Sequence, residues 1–396
     1  AGYEVDKEYY INDAGNQMDV LGRSTLIRYK QLLGQDVEMP EEAYVGDYIK
    51  DIAREIKDEK GEEILELSED KQMEFCREFA YDRCLKKIEE DLKEFEIDFD
   101  VWFSERQLHD QNKIEKAIEE LEQKGYIYRE NDAVWFKATA FGDDKDRVVI
   151  KSDGKPTYLA ADIAYHKNKL ERGYDKLINI WGADHHGYIS RVKASIEAFG
   201  YTEDTLEVIV IQIVNLMRDG DKVPMSKRAG NFVTMREVME EVGKDAARYF
   251  YIMRSTDSHF DFDLELAKKE STDNPVYYIQ YAHARIQSIM ENIDNDYNLD
   301  EEIDLNSLEQ EAEIDLMKLM ANFPEVIKLS AERRETHHIA NYAYDLANAF
   351  HVFYNKCRVI TDDEDLTKAR IYLVMAVRQV LLNVLSLLGI SAPDQM

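Results

Sequence analysis

The 396-residue chain reads as a parallel α/β core, interrupted by an α-rich insertion and followed by an all-α bundle. Three observations predict this. Short apolar runs at 147–151, 177–181 and 206–214 are rich in β-branched residues and too short for ordinary helices. A helical pattern at 160–172 separates the first two, which is the rhythm of βαβ units. After about Asp257 strand signals vanish, and Ile339, Tyr342, Ala343, Leu346, Phe350, Phe353, Tyr354 and Cys357 recur at helical spacing. A chain of this length is expected to hold more than one core.

In chain order, Glu8-Tyr9-Tyr10-Ile11 reads as a strand entered almost at once from Ala1, so upstream sequence is expected. From Asp36 to about Asn131 the chain is densely charged, with Phe75, Phe79, Leu85, Ile88 and Leu92 on one helical face, and is read as the insertion. Tyr126, Tyr128, Trp135 and Phe136 flank Asn131-Asp132 and suggest a hairpin that closes it. The expected organisation is 1–35 with 132–256 as the α/β core, 36–131 as the insertion and 257–396 as the bundle. Within the bundle, 293–310 is acidic and poor in large apolar residues and reads as a loop. Arg378, Gln379 and Asn383 interrupt the apolar stretch 371–388, which therefore reads as a buried helix and not a membrane span.

Lys plus Arg total 50 against 81 Asp plus Glu, a net charge of −31. That balance argues against non-specific adhesion to nucleic acid or anionic membrane, but leaves room for a locally basic groove. Residues 1–10 carry Glu4, Asp6 and Glu8 with no apolar run, unlike a signal peptide. Cys76, Cys84 and Cys357 form no C-x-x-C pair, as expected of a reduced cytoplasmic protein without structural zinc.

Three polar clusters follow these elements. The loop Pro224-Met225-Ser226-Lys227-Arg228-Ala229-Gly230-Asn231 places two cations and a glycine after the 206–214 run, at a strand's carboxyl end, where α/β sheets bind ligands. It reads as a phosphate cradle or as a solvated surface turn. Gly182-Ala183-Asp184-His185-His186-Gly187 follows 177–181: glycine admits a ligand to the backbone, and an aspartate there can accept from ribose hydroxyls. The adjacent histidines suit hydrogen bonding or helix capping better than a metal, because neighbours on an extended segment point apart. In the third cluster Asp153-Gly154 marks a turn into a helix, where Tyr158 and Asp162 share a face. A carboxylate beside an aromatic ring suits a guanidinium, while an ordinary amphipathic helix start would look the same.

Together these clusters resemble the class I aminoacyl-tRNA synthetases, and among them the bacterial arginyl-tRNA synthetases. The resemblance runs from Tyr10-Ile11-Asn12-Asp13-Ala14-Gly15-Asn16-Gln17 through Asp162-Ile163-Ala164-Tyr165-His166, Gly182-Ala183-Asp184-His185 and Met225-Ser226-Lys227-Arg228 to Asp245-Ala246-Ala247-Arg248, Tyr278–Arg285 and the terminal Ala392-Pro393-Asp394-Gln395-Met396. It implies a Rossmann-like core and an anticodon-binding bundle. The reaction it implies joins ATP and arginine as an adenylate and then transfers arginine to tRNA. Magnesium would come on the ATP phosphates, with no dedicated metal ligands. The implied roles are pyrophosphate stabilisation by Lys227 with Ser226 and Arg228, arginine recognition by Tyr158, Asp162 and His185, and ATP contacts from Gly182, Asp184, Met225 and Lys227. Arg285, Arg333, Arg334 and Lys356 would touch tRNA. A monomer is expected.

Two departures qualify the resemblance. Pro224 stands where the K-M-S-K-S loop begins with lysine, and Ala247 where D-A-L-R has leucine. More importantly, no H-x-G-H signature occurs in these 396 residues, so the chain reads as N-terminally truncated, with its first βα element missing. The alternative is a non-catalytic, synthetase-derived tRNA-binding module. Loss of the signature histidines should remove several kcal/mol of transition-state stabilisation. Purified alone, the chain is therefore expected to charge cognate tRNA slowly or not at all. Aminoacylation at ordinary synthetase rates would overturn this.

Overall fold

The computed structural model describes residues 1–225, 232–293 and 303–396. It divides into two compact units, one of Glu4–Ile213 with Pro224–Phe232, the other of Ala1–Tyr3, Val214–Val223 and Val233–Met396.

The first unit runs β1 (Glu8–Ile11), α1 (Asn16–Leu32), α2 (Asp47–Lys60), α3 (Glu69–Glu94), β2 (Val101–Ser104), α4 (Arg106–Asp110), α5 (Lys113–Gln123), β3 (Ile127–Glu130), β4 (Ala133–Phe136), β5 (Arg147–Ile150), α6 (Tyr158–Glu171), β6 (Leu177–Gly182), α7 (Ile189–Ala198) and β7 (Leu206–Ile211). β1 pairs in parallel with β2, and β6 with β7. The expected hairpin is β3–β4, which turns at Asn131 and Asp132 with φ of 51° and 59°, the left-handed pair of a two-residue type I′ turn. Leu108, Leu121, Val149, Ile163, Val192 and Ile196 fill the core between these strands and α4 to α7. A second core, built on Leu21, Tyr29, Ile49, Ile56 and Cys76, joins α1, α2 and α3.

In the second unit, β8 (Val214–Arg218) and β9 (Asp221–Lys222) form a hairpin. α8 (Met235–Val242), α9 (Lys244–Ile252), β10 (Phe260–Asp263) and α10 (Leu264–Ala267) follow. The bundle helices are α11 (Pro275–Glu291), α12 (Glu311–Ala321), α13 (Phe323–Arg333), α14 (His337–Lys356) and α15 (Glu364–Leu388). α15 is long and apolar enough to cross a membrane by length and composition. Its face of Ile371, Val374, Val377, Leu381 and Leu385 is nevertheless buried, and the helix packs on α11 and α14.

Four expectations are corrected. The segments 147–151 and 177–181 do not form a parallel βαβ unit, because β5 pairs antiparallel with β4, while β6 pairs with β7 in a separate sheet; within the mostly helical span 36–131, Val101–Ser104 pairs with β1. The apolar run 206–214 is two strands: β7 stops at Ile211, and Val214 opens β8, which pairs with β10. Alternation alone cannot see such a break, because Gln212 between Ile211 and Ile213 looks like an ordinary outward-facing strand position while leaving the ladder. The cationic loop therefore follows the β8–β9 hairpin, which turns at Asp219 and Gly220, and not a parallel strand. Strands also continue past Asp257, since Phe260–Asp263 alternates a buried Phe262 with exposed aspartates. Of the expected loop at 293–310, residues 294–302 lie outside the described residues, and Leu305–Ser307 is a single 3-10 turn.

α1 approaches α3 so closely that a Cβ on Gly22 would sit 2.7 Å from Cβ of Arg77. Cβ of Arg77 is fixed to the helix backbone and cannot swing aside. Gly22→Ala is expected to destabilise the unit by about 1–3 kcal/mol through overpacking. Urea unfolding would measure this, and an unchanged midpoint would contradict the close approach.

Candidate active site

The site is assembled around Asp13, which is 2% exposed at the end of β1. Its carboxylate accepts from Ser104 Oγ at 2.6 Å, Tyr81 Oη at 3.1 Å and the Arg106 backbone N–H at 3.1 Å. One buried side chain thus ties β1 to the end of β2, to α3 and to the start of α4. Arg106 completes the tie, reaching back to the Asp13 carbonyl at 2.8 Å and across to Glu78 at 2.6 Å. Glu105, between Ser104 and Arg106, is fixed by this arrangement and buried.

Glu105 accepts a hydrogen bond from the Tyr10 hydroxyl, and burial pushes its carboxyl up. The Tyr10 ring is held between Phe103, stacked at 6.1 Å, and Tyr165 at 4.6 Å. Within range of the Glu105 charge is Asp162 on α6, which accepts from the Tyr188 hydroxyl. Burial pushes Asp162 up to about 6; the Glu105 charge adds to that shift, and Lys169 and His185 oppose it. Two inward carboxylates repelling one another in a half-dry site favour a dispersed cation as ligand.

A buried relay sets the position of Asp162. His166 Nδ1–H donates to the Asp162 carbonyl at 2.8 Å, while its Nε2 accepts from Asn179 at 2.7 Å. Asn179 Oδ1 in turn accepts from Lys169 Nζ at 2.7 Å. Burial lowers the Lys169 ammonium to about 8, although it lies 4.5 Å over the Tyr165 ring. Asn179 belongs to β6, so the relay joins the carboxylate on α6 to the strand whose end carries Gly182. Beyond it a 3-10 turn, Ala183–Tyr188, presents Asp184, His185 and His186 to solvent. Asp143, pulled down to about 2 by Arg147 and Ser190 against the opposing effect of burial, fastens the start of α7 behind that turn.

The structure thus brings Asp162, Tyr188, His185 and Glu105 together. Tyr158, at the first position of α6, is 73% exposed and lies one turn from Asp162 at the rim. Gly182, Asp184 and His185 share the exposed end of β6, and Met225 is 45% exposed. Ser226, Lys227 and Arg228 lie outside the described residues. Glu105 and Tyr188 were not singled out from the sequence. A polar residue just past a strand's carboxyl end is the available signal for Glu105, but the four-residue strand Val101–Ser104 lies inside a span whose dominant pattern is helical.

In the second unit, α11 and α14 carry an aromatic ladder. Tyr278 and Tyr281 lie 4.7 and 5.8 Å from the His351 ring, and Arg285 lies over both Tyr281 and Tyr354, at 4.8 and 4.9 Å. Lys356 ends α14 two residues beyond Tyr354, whereas Arg333 and Arg334 sit by the opposite end of that helix, roughly 28 Å away at 1.5 Å per residue. Asp245 accepts from Gln280 Nε2 at 2.8 Å and from the Ser391 hydroxyl. Arg248 Nε donates to the Leu388 carbonyl at 2.9 Å, so Asp245 and Arg248 hold the terminal segment against α9 and α11.

A family model described as the catalytic domain of class I (R) tRNA synthetases matches residues 1–300, and one described as a DALR anticodon binding domain matches 279–396. An arginine–tRNA ligase of Syntrophotalea carbinolica is 50% identical over 399 residues, covering 100% of this chain and 72% of the relative. One of Bacillus licheniformis is 51% identical over 398 residues, with the same coverage of 100% and 72%. A solved arginyl-tRNA synthetase from Campylobacter jejuni superposes with a TM-score of 0.91 at 40% identity, covering 100% of this chain and 86% of that one.

The raised pKa of Asp162 has a stability consequence. Its folded value is about 6 against an ordinary 3.8, so the folded state binds the extra proton between them. The associated stability is full below about pH 4 and is lost as pH rises through about 6. Asp162→Asn should therefore be more stable than wild type at pH 8, by up to about 3 kcal/mol, and the gap should close near pH 4. Urea titrations at both pH values test this. Parallel curves would show that Asp162 is not buried uncompensated.

Proposed function

This chain belongs to the class I arginyl-tRNA synthetases, and we propose that Asp162 and Glu105 hold the guanidinium of L-arginine between them. The function is ATP-dependent ligation of arginine to tRNA. The observation that carries the proposal is a buried carboxylate, Glu105, whose charge repels that of the half-buried Asp162, each already hydrogen-bonded by a tyrosine hydroxyl. A guanidinium presents five N–H donors in a plane and keeps its charge at all working pH. It can satisfy both carboxylates and relieve their repulsion, with the exposed Tyr158 ring at the rim covering the alkyl stem.

In this reading the α-carboxylate of arginine attacks the α-phosphorus of ATP and expels pyrophosphate. A ribose hydroxyl of the tRNA then attacks the adenylate's carbonyl carbon, gives up its proton and expels AMP. Gly182, Asp184 and His185 at the end of β6, with Met225, would border the nucleotide. Ser226, Lys227 and Arg228 would meet the pyrophosphate as its charge develops. Magnesium is expected on the ATP phosphates and not in a protein cage. On the second unit, Tyr278, Tyr281, Arg285 and Tyr354 suit unstacked tRNA bases, which bind by stacking on aromatic and guanidinium planes. Lys356 is placed to meet the phosphate backbone nearby, and Arg333 and Arg334 would contact tRNA only at a separate place. A purely tRNA-binding role is not favoured, because it would leave the paired carboxylates without a ligand. Three free cysteines accord with a reduced, cytoplasmic setting, and we read the protein as a monomer.

Calorimetric titration tests the arginine site. L-arginine should bind, while L-citrulline, of the same shape but neutral, should bind at least about 30-fold more weakly, as should L-arginine to Asp162→Asn and Glu105→Gln. Wild-type affinity should fall as pH drops below about 6, where Asp162 takes up a proton. Equal affinity for arginine and citrulline would rule out the proposed pair.

A further inference from the structure

Outside both sites, one cluster gathers metal-ligating side chains at the α13–α14 corner. Arg334 adopts the left-handed conformation with φ of 55°, and the Glu335 N–H closes the end of α13 by donating to the Ser330 carbonyl at 3.1 Å. That corner turns the Glu335 carboxylate over the first turn of α14. His338 Nε2 lies 2.8 Å from Glu335 Oε2, and the His337 and His338 rings approach to 4.2 Å between centroids, tilted by 39°. The three donor atoms, one from each residue, lie within 4.8 Å of one another, and all three residues are half-buried.

We propose that Glu335, His337 and His338 bind a divalent transition-metal ion of the zinc class. Two imidazole nitrogens with one carboxylate oxygen suit zinc, cobalt, nickel or copper, whereas magnesium and calcium prefer all-oxygen sites. Asp257, on the segment between α9 and β10, lies close enough to His337 for its negative charge to add to the attraction for a cation. On binding, the metal replaces the hydrogen bond between His338 Nε2 and Glu335 Oε2. Water completes the coordination. Expecting no metal from the cysteine spacing did not bear on this site, which uses no cysteine.

The test uses the untagged full chain, stripped with chelator, titrated with Zn2+ by calorimetry and with Co2+ by visible absorption at pH 7.5. One ion per chain is expected, with a raised thermal midpoint in its presence. His338→Ala and Glu335→Gln should each weaken binding more than about tenfold, and both changes fall on half-buried side chains, so folding should survive. The His185→Ala/His186→Ala double variant should bind as wild type does. Undiminished binding in His338→Ala and Glu335→Gln, binding lost only in the His185/His186 variant, or no binding by wild type would each overturn the site.

Discussion

The buried carboxylate of Asp13 is the constraint on which the proposed arginine site rests. A buried charge is tolerated only when hydrogen-bonded, and Asp13 meets that demand with donors from β2, α3 and α4. Satisfying one side chain therefore fixes four elements at once. Glu105 gains its inward direction from this arrangement and not from any local preference, since it sits between two residues that Asp13 holds.

The opposite wall is constrained in the same way. His166 bridges the Asp162 carbonyl and Asn179, so α6 and β6 are joined by a neutral histidine whose two nitrogens are both engaged. Asp13, His166 and Asn179, which hold the two walls, are hydrogen-bonded, while the charge of Glu105 still repels that of Asp162. That contrast is what a pre-organised cation site requires: the supporting groups are satisfied beforehand, and the remaining repulsion is relieved only by the ligand. The unliganded fold is less stable for it, and the ligand's charge offsets the cost.

The second unit shows how a short motif acquires a physical reason. Asp245 and Arg248 reach the residues around Leu388 and Ser391, so the D-A-x-R pattern works as a clasp for the end of the chain. The clasp engages α11 and the end of α15, and α11 also packs on α14, with Tyr278, Tyr281 and Arg285 at stacking distance from His351 and Tyr354. On the proposed reading, a chain with a net charge of −31 meets nucleic acid through aromatic planes as well as cations.

Read by itself, the sequence determined the family, the strands at 147–150 and 177–182 with the helix between them, the β3–β4 hairpin and the mainly helical second unit, because all of these are written in local periodicity or in contiguous motifs. Tertiary structure alone decided the partner carboxylate, the division of 206–214 into two strands, β2 inside a supposed helical insertion, and β10. Strands of four residues carry too few alternations to stand out from helical surroundings, and they exist here because distant segments supply their ladders. Glu105 and Asp162 are 57 positions apart in the chain, and no spacing rule links them. They meet because the buried groups behind each, Asp13 on one side and His166 with Asn179 on the other, must find hydrogen-bond partners before either wall can form.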